Sequence, residues 1–172
     1  MPEFIPFLKK DEIAEMVAAV AQRLSSDYKD SEFVVIGVLK GAFMFVSDLV
    51  RGLTIPVEVD FVRVSSYGDA ASSSGTIRMT KELELDIKGK DVLIVEDIID
   101  TGLTLAYIAE YVKSFSPKSL RICTLLDKRE RRMSEVPVDY ACCVVEKGFL
   151  VGYGLDYAEK YRNLPEIYEL EF

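Results

Sequence analysis

The chain has no histidine at all and only three cysteines among its 172 residues. Without histidine, any proton transfer must use a carboxylate, lysine, tyrosine or cysteine. The cysteines, Cys123, Cys142 and Cys143, lie in apolar stretches and have no CxxC spacing. We therefore expect reduced, buried thiols in a cytoplasmic protein rather than disulfides, a zinc site or a nucleophile.

Long apolar runs and positive charge are also scarce. No apolar run approaches the roughly 20 residues that span a bilayer, and the N-terminus, MPEFIPFLKKDE, lacks the pattern of a signal peptide. We therefore expect no membrane association. The net charge of −8 argues against nucleic-acid partners. Length and a hydrophobic content of 49% favour a single domain, residues 1–172, with a sizeable core.

Apolar strands alternate with amphipathic helices along the chain, which predicts a mainly parallel α/β sheet flanked by helices. Glycine-rich residues 148–154 are expected to bend, and residues 157–161 form at most a short helix. The predicted helices are Asp11–Leu24 (with Asp11 as N-cap), Phe43–Leu53 and Leu103 to near Phe115; the predicted strands are Phe33–Leu39, Val57–Ser65, Ile77–Leu85, Val92–Val95, Leu120–Leu126, Tyr140–Val145 and Ile167–Leu170.

The stretch DVLIVEDIIDTGLTLA, Asp91–Ala106, combines a strand, two carboxylates and a turn that opens a helix. Glu96 and Asp97 follow the apolar strand directly, where we expect it to reach the surface. In open α/β sheets, ligands bind beyond the carboxyl ends of the strands. The turn offers free backbone N–H groups at the positive end of a helix dipole, which favours phosphate. Its residues are Asp100, Thr101, Gly102, Leu103 and Thr104.

The two carboxylates would repel a bare phosphate, but carboxylates accept hydrogen bonds from a diol and bind metal ions. A phosphorylated sugar satisfies all these groups, with its phosphate in the turn and its hydroxyls against Glu96 and Asp97. The alternative is a helix start capped by Asp100 or Thr101. Capping explains one of those residues but not the adjacent carboxylates.

Three other polar stretches have both a functional and an ordinary interpretation. Lys40 and Gly41 start a helix after a strand, where they could hold a pyrophosphate, although an exposed lysine is common there. Residues 66–76, SYGDAASSSGT, are long and polar enough for a functional lid, or they form a plain surface loop. Residues 127–132, DKRERR, follow a strand, so their side chains could also emerge at the carboxyl edge of the sheet. The alternative is a solvated charge cluster.

The sequence VLIVEDIIDTGLTL resembles the 5-phosphoribosyl pyrophosphate (PRPP) signature of type I phosphoribosyltransferases. Its EDIIDTG form resembles the hypoxanthine–guanine phosphoribosyltransferases, and the resemblance runs from Val34 to the C-terminus in four motifs. It implies a type I phosphoribosyltransferase-like core over about residues 30–135. It also implies a small hood mainly from residues 137–172, with an N-terminal contribution, and a flexible lid loop at about 66–77.

The resemblance implies a purine salvage enzyme that transfers the 5-phosphoribosyl group from PRPP to N9 of hypoxanthine or guanine. The products would be IMP or GMP and pyrophosphate. It also implies Mg²⁺ as cofactor, PRPP and oxo-purine bases as small-molecule partners, and a homodimer or homotetramer.

The resemblance also assigns roles to individual residues, and it implies a cis peptide before Lys40. Asp100 is the catalytic candidate at purine N7, and the turn of Asp100, Thr101, Gly102, Leu103 and Thr104 binds the 5-phosphate. Glu96 and Asp97 hold the ribose diol and, with Asp156, the metal. The remaining assignments are Lys40, Gly41 and Arg162 for pyrophosphate, Lys128, Phe149, Leu150 and Asp156 for the purine, and Ser66 and Tyr67 for the lid.

Three alternatives remain beside this interpretation. A member of the same family that prefers xanthine or 6-thiopurines is compatible with Lys128. A non-catalytic relative that binds nucleotides to regulate RNA would need a basic face, which the net charge of −8 disfavours. The sequence VLIVED also resembles the start of a signalling receiver domain, but receivers place that strand near the N-terminus, whereas here it begins at Val92.

Overall fold

The structure, a computed structural model, describes residues 1–67 and 76–172. In chain order its elements are β1 (Glu3–Leu8), α1 (Lys10–Asp27), β2 (Phe33–Val38), α2 (Phe43–Gly52), β3 (Glu58–Tyr67), β4 (Thr76–Lys81), β5 (Asp91–Ile99), α3 (Leu103–Lys113), β6 (Ser119–Lys128), β7 (Tyr140–Val145), β8 (Leu150–Val151) and β9 (Ile167–Glu171).

The main sheet has six strands in the order β4-β3-β2-β5-β6-β7. All neighbours are parallel except β3 and β4, which are antiparallel. Leu93 and Val95 of β5 face the cluster that contains α1 and α2, whereas Val92 and Ile94 face α3. Because helices cover both faces, the central strands are apolar over most of their length; β5 is apolar from Val92 to Val95 and becomes acidic at Glu96 and Asp97. The predicted mainly parallel sheet flanked by helices is therefore confirmed.

The helices are amphipathic and contribute their apolar faces to the two cores. The 18-residue α1 buries Ile13, Val17, Val20 and Leu24 on one side and exposes charged residues on the other. It begins at Lys10, so the prediction of Asp11 as N-cap is wrong; the N–H of Lys9 instead donates to the Glu12 carboxylate at 2.7 Å. Among the helices of the described ranges, none is both long and apolar enough to cross a bilayer.

The hood is a separate antiparallel sheet in the order β1-β9-β8. Sequence patterns did not predict β1, which pairs with β9 from Glu3 opposite Glu171. The predicted boundary between core and hood needs correction, because β7 pairs with β6 in the main sheet. Residues 157–161 form no helix; Tyr157 and Lys160 close a tight turn.

The ends of two elements also differ from the prediction. Strand β6 continues through Asp127 and Lys128, which were expected in a loop. Ser66 and Tyr67 lie in β3, paired with Ile77 and Thr76 of β4, so the two ends of the predicted lid at 66–77 are strand. The rest of that lid, residues 68–75, lies outside the described residues.

The three cysteines are free thiols, as predicted, but only Cys123 is buried; Cys142 and Cys143 are half-buried. Burial raises the pKa of Cys123, and it raises the pKa of Cys142 to about 12. A thiol with a raised pKa is a poor nucleophile at neutral pH, because the thiolate is the reactive form.

Asp60 anchors the segment that follows β4. Its side chain is buried, and Oδ2 accepts the backbone N–H groups of Glu84 at 2.8 Å and Leu85 at 3.0 Å. Burial alone would raise the pKa of Asp60, but these N–H groups, that of Phe61 and the charge of Lys81 together lower it. Such a carboxylate stabilises the fold above its unfolded-state pKa, and the stabilisation is lost as the pH falls through the folded-state pKa.

Asp60→Asn should therefore lower the free energy of unfolding at pH 7 by about 1–3 kcal/mol, because the amide cannot accept every hydrogen bond that the carboxylate accepts. Urea unfolding measures this loss, and it should shrink below about pH 4, where an unfolded aspartate is protonated. The exposed Asp11 provides the control substitution Asp11→Asn, with an expected change below about 0.5 kcal/mol. An equal loss at pH 3 and pH 7 would contradict the assignment.

Candidate active site

The carboxyl edge of the main sheet collects the candidate residues. Parallel strands β2, β3, β5 and β6 end at this edge, which places Lys40 after β2 and Lys128 at the end of β6. Ser66 and Tyr67 occupy the end of β3. The Asp100–Thr104 turn follows β5 in the middle of the edge.

Glu96 and Asp97 form a buried acidic pair inside β5. They were expected where the strand reaches the surface, but β5 continues to Ile99 and leaves them 8% and 9% exposed. Asp97 donates its backbone N–H to Glu96 Oε1 at 3.0 Å, and Ile98 donates to Asp97 Oδ1 at 2.8 Å. Burial and the adjacent charge of Asp97 raise the pKa of Glu96 well above its usual range. Cations and hydroxyl donors would therefore stabilise this pair.

Gly41 fits tightly between Asp97 and the hood. A Cβ atom at Gly41 would lie 1.9 Å from Asp97 Oδ2, and one at Gly154 would lie 2.1 Å from the Gly41 carbonyl oxygen. The peptide bond between Leu39 and Lys40 is cis, as the resemblance implies. The backbone at Lys40 and Gly41 is thus fixed beside the acidic pair, where only glycine leaves room.

The Asp100–Thr104 turn lines a pocket of about 160 Å³ that Glu96 and Asp97 also line. The N-cap of α3 is Gly102, with φ +82°, so the alternative with Asp100 or Thr101 as N-cap is wrong. A positive φ is readily adopted by glycine alone. The turn therefore presents its backbone to the pocket at the start of α3, the arrangement that favours an anion.

Asp100 has one carboxylate oxygen that lacks a partner. Its Oδ2 lies 3.4 Å from Arg131 Nη1, whereas Oδ1 is buried and has no hydrogen-bond partner in the part of the chain that the structure describes. A buried acceptor without a donor costs free energy that a ligand donor would recover. Oδ1 is therefore available to an N–H group of a ligand.

Arg132 ties the turn to the end of β6, a role that sequence reasoning missed. Its guanidinium donates to the Asp100 carbonyl at 3.1 Å, the Lys128 carbonyl at 2.9 Å and Asp127 Oδ1 at 2.5 Å. Burial alone would raise the pKa of Asp127, but Arg132 and Arg129 together lower it. The interpretation of Arg132 as a solvated charge is wrong; the only signal was a dense charge cluster directly after a buried strand.

The residues predicted to contact the base lie in two places, with Lys128 at the end of β6 in the main sheet and Leu150, with Phe149 directly before it, at the start of β8 in the hood. Lys128 is 8% exposed, with Nζ 4.0 Å from Glu130 Oε2. Leu150 is buried in β8, and Phe149 beside it is exposed. The Phe149 ring makes T-shaped contacts with Tyr157 at 5.7 Å and Phe172 at 5.9 Å between centroids. This aromatic cluster was not predicted, because β9 brings its last member from the chain terminus.

Arg162 and Lys40 meet at one carboxylate that sequence reasoning also missed. Glu159 Oε2 lies 2.8 Å from Lys40 Nζ, and Glu159 Oε1 lies 3.0 Å from Arg162 Nη2. Arg162 also contacts Asp156 Oδ1 at 3.2 Å and the Gly154 carbonyl at 2.7 Å. The two cations predicted to bind pyrophosphate are thus brought together, with Glu159 between them.

The donor set can be tested against the magnesium ion that the resemblance implies. No cluster of three metal-ligating side chains occurs in ranges 1–67 and 76–172. Mg²⁺ prefers oxygen donors and usually keeps several waters, binding through one or two carboxylates together with substrate phosphates. The pair of Glu96 and Asp97 fits this pattern. Asp156 instead forms an ion pair with Arg162 in this structure, and it accepts the Glu159 N–H at 2.9 Å.

Comparison with known proteins gives consistent results. The family model described as "Phosphoribosyl transferase domain" matches residues 7–158. The hypoxanthine-guanine phosphoribosyltransferase of Aquifex aeolicus is 48% identical over 165 residues, which cover 95% of this chain and 93% of that protein. The hypoxanthine phosphoribosyltransferase of Salmonella typhimurium is 48% identical over 158 residues, 91% of this chain and 89% of its own.

A solved structure agrees over nearly every residue. The crystal structure of a hypoxanthine-guanine phosphoribosyltransferase from Bacillus anthracis matches with a TM-score of 0.92 and 39% identity, covering 99% of this chain and 100% of that one. Identity, coverage and fold all point the same way. The chain therefore belongs to the hypoxanthine–guanine phosphoribosyltransferases, enzymes of the phosphoribosyltransferase family.

Proposed function

We propose that this enzyme transfers the 5-phosphoribosyl group from PRPP to N9 of hypoxanthine or guanine, releasing pyrophosphate and IMP or GMP. The observation that carries the proposal is the carboxyl edge of the sheet. There one pocket is surrounded by a helix-opening turn, a buried acidic pair and Asp100 Oδ1, which has no hydrogen-bond partner among the described residues. PRPP requires an anion site, diol acceptors and a second anion site, and this edge has candidates for each.

PRPP is held in three places in this proposal. The backbone N–H groups of the turn, with the hydroxyls of Thr101 and Thr104, bind the 5-phosphate. Glu96 and Asp97 accept the ribose hydroxyls. Lys40 and Arg162 bind the pyrophosphate, and the Gly41 backbone approaches it closely because no side chain intervenes.

Glu96, Asp97 and Asp156 are the residues proposed to hold Mg²⁺, directly or through water. When bound there, the ion would offset the negative charge that builds on the departing pyrophosphate. The raised pKa of Glu96 supports this, because it reflects burial and the adjacent charge of Asp97, a repulsion that a bound cation would relieve.

The base lies between the turn and the hood in this proposal. Asp100 Oδ1 accepts the proton at purine N7, which assists attack by N9 on the ribose C1. Phe149 stacks on the purine face, and the backbone of Leu150 contacts the base edge. Positioning and electrostatics supply most of the rate, because the transition state resembles an oxocarbenium ion.

Lys128 is proposed to donate to the exocyclic oxygen at purine position 6. Lys128→Met should lower kcat/KM for hypoxanthine and guanine by roughly 10- to 200-fold, the effect of about 1–3 kcal/mol. Binding of adenine, which carries a donor at that position, should weaken less, so the preference for oxo-purines over adenine should narrow. Lys29→Met, at an exposed position after α1, is the control. An equal loss with every base would indicate a structural role for Lys128 instead.

The experiment that tests the proposed function is a steady-state assay with PRPP and Mg²⁺, offering hypoxanthine, guanine, xanthine, adenine and uracil separately. Turnover of hypoxanthine and guanine, with adenine and uracil inert, supports it. Xanthine as the best substrate would shift the assignment within the family. No turnover with any base, together with measurable RNA binding, would favour a regulatory protein.

A further inference from the structure

Glu159 bridges the two cations that the proposed function assigns to pyrophosphate. Each of its carboxylate oxygens contacts a different cation, Lys40 Nζ at 2.8 Å and Arg162 Nη2 at 3.0 Å. The carboxylate thereby presents two oxygens to two positive groups, much as an edge of a phosphate would. These two contacts also lower the pKa of Glu159, so the side chain is ionised at neutral pH.

The backbone at Glu159 has a conformation that non-glycine residues adopt only at a cost in free energy. Ala158 and Glu159 both have positive φ, +51° and +64°, in a two-residue turn closed by reciprocal hydrogen bonds between Tyr157 and Lys160. Turns of this kind favour glycine and asparagine, so alanine and glutamate are unusual choices. The Glu159 N–H also donates to Asp156 Oδ2 at 2.9 Å. The turn therefore directs both the N–H and the side chain of Glu159 into the polar cluster.

We propose that Glu159 is an internal occupant of the pyrophosphate subsite, holding Lys40 and Arg162 until the pyrophosphate group of a ligand replaces it. This inference rests on the proposed function, because it assumes that the two cations receive pyrophosphate. Its carboxylate keeps two like charges from repelling each other in the ligand-free enzyme.

The solvent exposure of Lys40 and Glu159 is consistent with an ion pair that a ligand can replace. The side chains of Lys40 and Glu159 are 47% and 63% exposed, and that of Arg162 is 19% exposed. Ion pairs at exposed positions are weak, so a multiply charged ligand can displace the carboxylate. Displacement nevertheless has a cost, which reduces the apparent affinity for PRPP and for the product pyrophosphate. Glu159 would thus favour release of pyrophosphate after each turnover.

The test is Glu159→Gln, which keeps the shape of the side chain and removes its charge. The KM for PRPP and the inhibition constant of pyrophosphate should both fall by roughly 3- to 10-fold, since one or two exposed ion pairs no longer compete. The KM for hypoxanthine should stay unchanged, which separates this effect from a general loss of structure. Isothermal titration with pyrophosphate and Mg²⁺ should show the same tightening without any turnover.

Glu171→Gln is the matched control, because it removes one negative charge from an exposed hood residue away from the cluster. It should leave pyrophosphate inhibition unchanged. Glu159→Asp, whose shorter side chain cannot reach both cations at once, should shift the constants in the same direction by a smaller factor. It provides a second variant if the glutamine variant fails to fold.

The outcomes separate the two proposals. If the unmodified enzyme turns over hypoxanthine and PRPP but both Glu159 variants bind pyrophosphate as before or more weakly, the inference about Glu159 is wrong and the proposed function stands. If the unmodified enzyme shows no turnover with any base, the proposed function fails first. If Glu171→Gln gives the same tightening, general electrostatics rather than the bridge explains it, and the inference is again wrong.

Discussion

Asp100→Asn should lower kcat by about 100-fold or more, the contribution expected of a positioned acid–base group. Asp100 Oδ1 is buried and has no partner in the described parts of the chain, so it is free to take up the purine N7 proton. An asparagine keeps the size of the side chain and the interaction of the turn with Arg132, which uses the backbone carbonyl of residue 100. The loss should therefore come from chemistry rather than from folding.

The measurement is steady-state kinetics with hypoxanthine and PRPP. The KM for PRPP should change only a few-fold, because the proposed 5-phosphate contacts are backbone N–H groups and the hydroxyls of Thr101 and Thr104, none of which belongs to the Asp100 side chain. Asp86→Asn, at an exposed carboxylate in the turn before β5, should have wild-type kinetics. A variant of Asp100 with near-normal kcat would remove this residue from the proposed mechanism.

Gly41→Ala should lower kcat/KM by roughly 100-fold, the effect of a misplacement of about 1 Å at a catalytic centre. The new Cβ atom would lie 1.9 Å from Asp97 Oδ2, so the carboxylate must withdraw by about 1.5 Å to reach ordinary contact. Asp97 is buried and held by the Ile98 N–H, so it has little room to move. The Gly154 backbone on the other side prevents the loop from retreating instead.

This variant should stay folded, because Gly41 lies in a turn rather than in the apolar core. Its thermal unfolding should remain cooperative while activity is lost, and the KM for PRPP should rise more than the KM for hypoxanthine. Gly89→Ala provides the contrast. Apart from its chain neighbours, no atom of the described residues lies within 4 Å of its Cβ position, so the expected cost comes from its positive φ. Full activity in Gly41→Ala would show that the close approach of Gly41 to Asp97 is not required for catalysis.

The sequence was sufficient to predict the features that depend on contiguous residues. The apolar run of β5 and the Asp100–Thr104 turn are adjacent in the chain, so their order and spacing carry the signal. The parallel sheet also follows from apolar strands that alternate with helices. Even here the prediction that Glu96 and Asp97 lie at the surface was wrong. The length of β5 is set by its pairing with β6, which extends to Ile99 opposite Asp127.

Contacts between distant segments could not be read from the sequence. Arg132 and Glu159 look like ordinary surface charges until the fold brings Asp100 and Lys40 beside them. Strand β1 was missed because its partner, β9, comes from the other end of the chain. Neither kind of contact leaves a periodic pattern in the sequence, because the two partners meet only in the tertiary structure.

The most direct test of the central claim is to identify the products formed from hypoxanthine, PRPP and Mg²⁺. Mass spectrometry and a pyrophosphate assay on one reaction should give IMP and pyrophosphate in equal amounts, both dependent on PRPP and both greatly reduced in Asp100→Asn. Consumption of PRPP without IMP, or release of pyrophosphate in the absence of a purine, would contradict transfer to the base.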